Sequence, residues 1–390
     1  MIARLKVESV VHGGEALARH EGRVVFVRGA APGDVVEAEL TGEGRFEHAR
    51  ALRVVERGEL RVDAPCPIVD RCGGCPLQHV SYEAQLAAKE ELTADALERI
   101  GGFARGSYEL RPIVASPSKF GYRRRAAMHR GGFLQARSSV VTPVDECLLF
   151  EPLLQDLASL VRDALEVRLL AGSRSGAIDV RGMSRKRAER LLESRVIGGV
   201  IADGVVLGDP VVVDPPLANG ARLRLRPDTF AQANRSMVPL LQEAVVQAVG
   251  GAARLLELFC GSGTLTLPLL GSRQVTAVES AGPSLALLRR SADEAGLAVK
   301  LIAGDAVDVA RGFDEPVDAI LLDPPRTGAA EVVRFLKAPR VVYVSCDAPT
   351  LARDGKLLAA AGYRLMSATP MDLFPQTAHF EIVATFVRDA

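Results

Sequence analysis

Tryptophan is absent and aromatic residues are only 5% of the sequence, scarcities that by themselves exclude no function class. Other absences say more. No apolar run approaches the ~20 residues that span a bilayer, so no membrane partner is expected. The N-terminus, Met1 to Val7, lacks the apolar core of a secretory signal, which points to the cytoplasm. Six cysteines in 390 residues are too sparse for a disulfide scaffold, so clustered ones suggest a metal or catalysis. Excess charge of either sign is missing too. With 48 Lys and Arg against 48 Asp and Glu, net charge gives no sign of a nucleic-acid partner. Internal repeats and low-complexity segments are lacking. What remains is an ordinary globular mix, 48% apolar and 25% charged, long enough for two or three domains.

The charge is unevenly spread. Arg111, Lys119, Arg123, Arg124, Arg125, Arg130 and Arg137 lie in a stretch, 111–140, that contains no acid. Such a tract can follow a phosphate backbone, or it can be a solvated face balanced by acids elsewhere. Residues 1–60 carry short β-rich runs, Arg23–Arg28 and Val35–Leu40 among them, with turns at Gly13-Gly14, Ala31–Asp34 and Gly42–Gly44. Strands at that spacing predict a small barrel of the kind that holds single-stranded nucleic acid. A helix is expected from about Ser81 to Ile100, with Leu86, Leu92, Leu97 and Ile100 among its apolar positions. Residues 111–225 mix strands and helices without a clear period.

From Arg254 the pattern becomes regular. Apolar runs at Arg254–Phe259, Val275–Val278, Lys300–Ile302, Val317–Leu322 and Arg340–Val344 alternate with helical stretches such as Leu285–Ala295 and Thr350–Ala361. The alternation predicts an α/β fold, a parallel sheet with helices on both faces. Two last strands, Tyr363–Met371 and His379–Val387, would close it as an antiparallel hairpin, a hallmark of the class I methyltransferase fold. Three segments result: a barrel over 1–60, a cysteine loop with a mixed α+β region over 61–225, and a Rossmann-like catalytic domain over 226–390.

Leu258-Phe259-Cys260-Gly261-Ser262-Gly263-Thr264 follows the first of these strands, where a helix should begin. Gly261 and Gly263 let backbone approach a ligand beyond the carboxyl ends of the strands. The third glycine of the dinucleotide fingerprint is missing, which argues against a nicotinamide cofactor. Glu279 ends the second strand, placed for ribose hydroxyls. Asp305 ends the third, where an adenine amino group would lie. Asp323-Pro-Pro-Arg326 ends the fourth, a segment that lines the acceptor base in class I methyltransferases.

The next strand ends at Val344-Ser345-Cys346, and Asp347 with Pro349 reads as the cap and first turn of a helix. A helix N-terminus favours thiolate, so Cys346 is the candidate nucleophile, while Cys260 reads as a small buried hydrophobe. Pyrimidine carbon 5 is too weak a nucleophile to take a methyl directly. A thiolate added to carbon 6 makes it an enolate, and a base must later remove the carbon-5 proton. Glu381, where the terminal hairpin returns to the rim, supplies that carboxylate. His379 looks like a residue that shapes the loop.

These motifs together resemble the RNA 5-methyluridine methyltransferase family. Val344–Asp354, Leu322–Arg326, Asp372–Glu381 and Thr229-Phe230-Ala-Gln232-Ala-Asn234 stand in family order, and residues 1–60 look like the family's RNA-binding TRAM domain. The resemblance implies Cys346 as nucleophile and Glu381 as proton acceptor. It also implies S-adenosylmethionine contacts from Gln232, Phe259, Thr264, Glu279, Asp305 and Asp323. RNA cytosine-5 methyltransferases carry their nucleophile directly after Pro-Pro, where this chain has Arg326. Thr264 stands where Asn is usual, Asp347 replaces Asn, and Gln376 replaces His. The segment Ser291–Gly296 lacks two customary Asn residues. Asp347 beside the thiol should oppose the thiolate.

Cys66, Cys72, Cys75 and Cys147 make a four-thiol set that spacing alone would allow to hold zinc or a four-iron cluster. The resemblance implies a [4Fe-4S] cluster, with zinc the less favoured occupant. Radical S-adenosylmethionine enzymes space their cysteines differently, so the cluster reads as structural. A catalytically inert RNA-binding protein or chaperone on the same fold is the alternative function, and retention of Cys346 with Glu381 argues against it. The amino-terminal barrel favours large-subunit ribosomal RNA over the transfer RNA T-loop, and nothing demands more than a monomer. If RNA follows the basic tract, replacing Arg123 and Arg124 should weaken binding in a salt-dependent way.

Overall fold

In the computed structural model of the chain, residues 1–41 and 46–388 are described, so the turn expected at Gly42–Gly44 lies outside the described residues. Strands Ile2–Val10, Ala16–His20, Arg23–Arg28, Val35–Thr41 and Glu47–Glu56 close into a barrel. Their alternation explains the closure. Ala3, Leu5, Val7, Val25 and Val27 all point inward and bury, and Arg4 and Lys6 between the first three face out. The fifth strand pairs with both the third and the fourth, which removes the open edge.

The Tyr82–Arg99 helix differs from its sequence reading in which face it buries. Tyr82, Gln85, Lys89 and Thr93 form a buried polar stripe over its first three turns, while Ile100 lies beyond its end and is 41% exposed. The central region contains a seven-stranded sheet in the order Val205–Gly208, Ile197–Ala202, Gly176–Arg181, Glu166–Ala171, Arg125–His129, Gly132–Leu134, Val141–Pro143.

The catalytic sheet has seven principal strands: Arg254–Leu258, Gln274–Glu279, Lys300–Ala303, Ala319–Leu322, Arg340–Ser345, Arg364–Met371 and Glu381–Val387. Counted in chain order, they lie 3-2-1-4-5-7-6, with Glu109–Leu110 added beyond the sixth. The first five are parallel and nearly continuous in apolar residues, as in Ala319-Ile-Leu-Leu322, where every residue is buried, because helices cover both faces. The last strand runs antiparallel between the fifth and sixth, the doubly wound arrangement of class I methyltransferases. One expectation fails: no α-helix follows the first strand. The chain makes only a 3-10 turn at Leu267–Leu269, since Pro268 lacks an N–H and Gly271 turns the chain at φ 87°.

Candidate active site

Cys346 directly follows the fifth strand and is half-buried. The Ala348–Ala360 helix begins just beyond it, capped by Asp347, whose Oδ1 accepts from Thr350 N at 2.9 Å. The other Asp347 oxygen faces His12 Nε2 of the barrel at 3.3 Å, and these contacts hold its carboxyl well below the usual range. Desolvation pushes the Cys346 thiol up to about 11. The charges of Glu381 and Asp323 push the same way, and Arg326 pulls it back by charge and hydrogen bond. The helix N-terminus therefore does not by itself deliver a thiolate. Arg326 is the cation that does most to favour one, and in the sequence it was visible only as the residue after Pro-Pro.

The same helix grips the Arg326 loop. Thr350 Oγ1 donates to the Arg326 carbonyl (3.1 Å), Arg353 Nη2 donates to the Thr327 carbonyl (2.8 Å), and Ala329 N donates to Asp354 Oδ2 (2.7 Å). Gly328, at φ 82°, fits where a Cβ would strike Arg353 and Asp354.

Glu381 opens the seventh strand opposite Met371 and is 4% exposed. Burial and the Asp323 charge raise its carboxyl well above the usual range, and Arg326 opposes them. Cys346 and Glu381 thus both feel the charges of Asp323 and Arg326 at one rim. His379, edge-on to Phe374 at 6.3 Å, is pushed down to about 4 by burial and nearby cations, so it is neutral at pH 7.

The cofactor loop carries strain at Phe259, a non-glycine residue at φ 66°. Gly261 has open space where a side chain would stand, whereas a Cβ on Gly263 would strike Leu288. One glycine admits a ligand; the other admits the neighbouring helix. Glu279 ties the loop shut, accepting from Gly261 N (2.9 Å) and Ala281 N (2.8 Å). Asp305, exposed at the rim, uses one oxygen to cap the Ala306–Gly312 helix. The half-buried Thr264 has its carbonyl fixed by Gln242 Nε2 at 2.8 Å.

Gln232 Oε1, Glu257 Oε2, Ser262 Oγ and Thr266 Oγ1 are all buried here without a hydrogen-bond partner. Desolvation pushes Glu257 up to about 8 and Asp323 up to about 7, so carboxyls line this rim in want of a cation. S-adenosylmethionine, a sulfonium with an ammonium, fits that need. Glu257 was overlooked in the sequence because an acid inside an apolar strand reads as an interruption.

The basic tract needs correcting. Arg124 is fully buried, paired bidentately with Asp214 at 2.7 Å, and its Nε donates to the Gln232 carbonyl at 3.1 Å. It fixes the Gln232 segment and is closed to RNA. Arg123 lies near Cys72, Cys75 and Cys147, whose ionisation its charge favours. Arg111, Lys119 and Arg137 pair with Glu109, Glu83 and Glu15. Arg125 is different: burial first, then the like charges of Arg168 and Arg124, disfavour its charge against the pull of Asp228, and it stands 6.0 Å from the ring of Phe230, which is 61% exposed.

Cys66, Cys72, Cys75 and Cys147 are free thiols lining one small, mostly apolar pocket with Val69, Phe133 and Leu149. Burial pushes Cys75 up to about 12 and raises Cys72 and Cys147 too. Among the described residues, no group of three or more His, Cys, Asp or Glu is arranged to hold a metal ion. No helix among them is long and apolar enough to cross a membrane.

Known proteins share this architecture. The tRNA (uracil-5-)-methyltransferase family pattern matches residues 184–388, and the TRAM domain pattern matches residues 2–45. The 23S rRNA (uracil(1939)-C(5))-methyltransferase RlmD of Pseudomonas putida is 35% identical over 98% of this chain and 93% of its own. An RNA methyltransferase of Gloeobacter violaceus is 31% identical over 98% of this chain and 95% of its own. The crystal structure of Pyrococcus abyssi tRNA (uracil-54, C5)-methyltransferase with S-adenosyl-L-homocysteine superimposes with a TM-score of 0.78. It covers 98% of this chain and 99% of that one at 22% identity, and so supports the fold. With a family pattern over more than half of its length and relatives along nearly all of it, this chain belongs to the tRNA (uracil-5-)-methyltransferase family, the S-adenosylmethionine-dependent RNA uracil-5-methyltransferases.

Proposed function

We propose that this enzyme makes 5-methyluridine in large-subunit ribosomal RNA through a covalent adduct between Cys346 and carbon 6 of the target uridine. The observation that carries the reading is the shared rim, where Asp323 and Arg326 both act on the ionisation of Cys346 and of Glu381. The Cys346 sulfur adds to carbon 6, and the electron pair moves onto the uracil carbonyl as an enolate. S-adenosylmethionine supplies the electrophilic methyl that carbon 5 then accepts. Glu381 takes the proton left on carbon 5, the carbon 5–carbon 6 double bond re-forms, and the sulfur leaves. Arg326 favours charge on both groups, as each must carry it in turn.

Gln232, Phe259, Gly261, Gly263, Thr264, Glu279, Asp305 and Asp323 are the residues to hold the cofactor. The orphaned Gln232 oxygen supports this. Cys66, Cys72, Cys75 and Cys147 suit a [4Fe-4S] cluster better than zinc. What supports four thiolates acting together is the one small pocket that all four thiols line. RNA then passes the barrel and the Arg125–Phe230 pair, where a cation crowded by cations beside an exposed ring suits phosphate and a base. The target uridine must leave any stack, at a cost of a few kcal/mol. Ribosomal RNA is favoured by the substrate in the name of the Pseudomonas relative, and a cytoplasmic monomer suffices for it.

The test is trapping on 5-fluorouridine-substituted ribosomal and transfer RNA with S-adenosylmethionine. Fluorine cannot leave as a proton, so the adduct should persist through denaturing electrophoresis, and mapping it names the uridine. An adduct on transfer RNA alone would overturn the substrate. Its absence from both, with cofactor bound, would overturn the mechanism.

A further inference from the structure

Glu381 is reached through Asp372–Phe380, a segment with little structure of its own. Thr377 bonds back to the Phe374 carbonyl, and His379 N donates to Thr377 Oγ1 at 3.2 Å. At its centre Gln376, a non-glycine residue, sits at φ 70°, a conformation that persists only when surroundings impose it. The imposing groups come from elsewhere in the chain. Lys89 Nζ donates to the Phe374 carbonyl (3.2 Å), Tyr122 Oη to the Pro375 carbonyl (2.9 Å), and Leu77 N to the Gln376 carbonyl (3.1 Å). Three successive carbonyls are thus each fixed from outside.

Gln85, on the buried polar stripe of the Tyr82–Arg99 helix, makes the densest of these contacts. Its Oε1 accepts from Gln376 N at 3.0 Å. Its Nε2 donates to Gln376 Oε1 (3.0 Å), to the Leu77 carbonyl (3.0 Å) and to the Val80 carbonyl (2.9 Å). A buried side chain used only to fill space would not be an amide with both ends spoken for. Gln85 joins the nearby Leu77 and Val80 to the distant Gln376, and it holds that strained residue in place.

We infer that Gln85 is a positioning residue for the second half of the reaction: through Gln376 it sets the segment that presents Glu381 to the carbon-5 proton. The inference rests on the covalent reading above. It separates two steps, because the hydrogen bonds of Gln85 go to Leu77, Val80 and Gln376, and none of them reaches the fifth strand or the Ala348–Ala360 helix that flank Cys346. Loosening the Asp372–Phe380 segment should leave sulfur addition and methyl transfer standing while proton removal slows.

The experiment compares wild type with Gln85→Leu, close in volume but without the amide, and with Gln85→Glu, which keeps the acceptor for Gln376 N. Natural ribosomal RNA labelled with tritium at carbon 5 of uridine is the substrate. In Gln85→Leu, tritium release should fall roughly ten- to a hundredfold. The first methyl transfer per enzyme should stay near wild type, so methylated protein–RNA adduct accumulates on ordinary uridine. KM for RNA should change little, and Gln85→Glu should recover part of the release. If first-turnover methylation and tritium release fall together with no adduct, or neither changes, Gln85 does not position the base. Should Gln85→Leu fail to fold, judged by its melting curve, the same readouts on Gln85→Glu decide. Failure of wild type to form an adduct with 5-fluorouridine RNA would instead remove the covalent reading itself.

Discussion

Two thiols stand at the same edge of the same sheet and face opposite fates. Cys260, beyond the first strand, is 5% exposed, and burial together with Glu257 and Glu279 pushes its thiol far up. Cys346, beyond the fifth strand, is also desolvated and also has carboxyls beside it, yet Arg326 pulls it back to about 11. The first rim gathers carboxyls without an opposing cation, which suits a cationic cofactor. The second sets a thiol and a carboxyl around one guanidinium, which suits a reaction in which negative charge moves between them. Position at the rim is not what makes a thiol reactive. The neighbouring charge is.

The sharpest way to break this comparison is to remove each thiol in turn. Cys346→Ala should abolish the 5-fluorouridine adduct and methylation together while leaving the melting temperature close to wild type. An adduct surviving in Cys346→Ala would move the nucleophile elsewhere. Next in size is the guanidinium. With Arg326→Gln the thiol loses its one named source of stabilised charge, so thiolate at neutral pH should become about tenfold scarcer or more. Adduct formation should slow accordingly. The sign is set by the shift: the thiol, already near 11 in wild type, moves further up in Arg326→Gln, so direct titration of the Cys346 thiol by its alkylation rate should show a higher midpoint in the variant. An unchanged midpoint would show that Arg326 acts on something other than the sulfur.

What sequence reasoning reached, and what it missed, follows from range. The catalytic strands were legible because burial on both faces leaves continuous apolar runs, and Cys346 was legible because a cap and a proline mark the helix after it. Arg124 was misread for the converse reason. An arginine among arginines looks solvated, and its partner Asp214 is distant in sequence, so no local pattern could place it at full burial. The missing helix after the glycine loop did have a local sign in Pro268. The buried stripe of Gln85 and Lys89 did not, because its partners, Gln376 and Asp372, lie in the last twenty residues of the chain.

The carboxyls give a gentler test. Asp323, raised to about 7, and Glu257, raised to about 8, hold protons at lower pH that a cationic ligand must displace. Binding of S-adenosylmethionine should therefore strengthen as pH rises from about 6 to 8, by up to about tenfold per unit and group, and level off above. S-adenosylhomocysteine, which lacks the sulfonium charge, should show a shallower rise in calorimetry under the same conditions. Equal slopes for the two ligands would mean that these carboxyls do not sense the sulfonium.

The smallest expected effect is also the most discriminating about the first rim. Cys260→Ala removes a buried sulfur that makes a weak hydrogen bond to the Gly261 carbonyl at 3.8 Å. Stability should drop by about 1 kcal/mol, the cost of a small cavity beside Leu265 and the first strand. Methylation should stay within about twofold of wild type, because a thiol held protonated by burial and by two carboxyls has no charge to give. If Cys260→Ala lowered cofactor affinity sharply, the sulfur would have to be shaping Phe259 and Gly261, and the strained φ at Phe259 would depend on it. A melting curve and a cofactor titration on the same preparation separate the two, since a packing loss moves the first and spares the second.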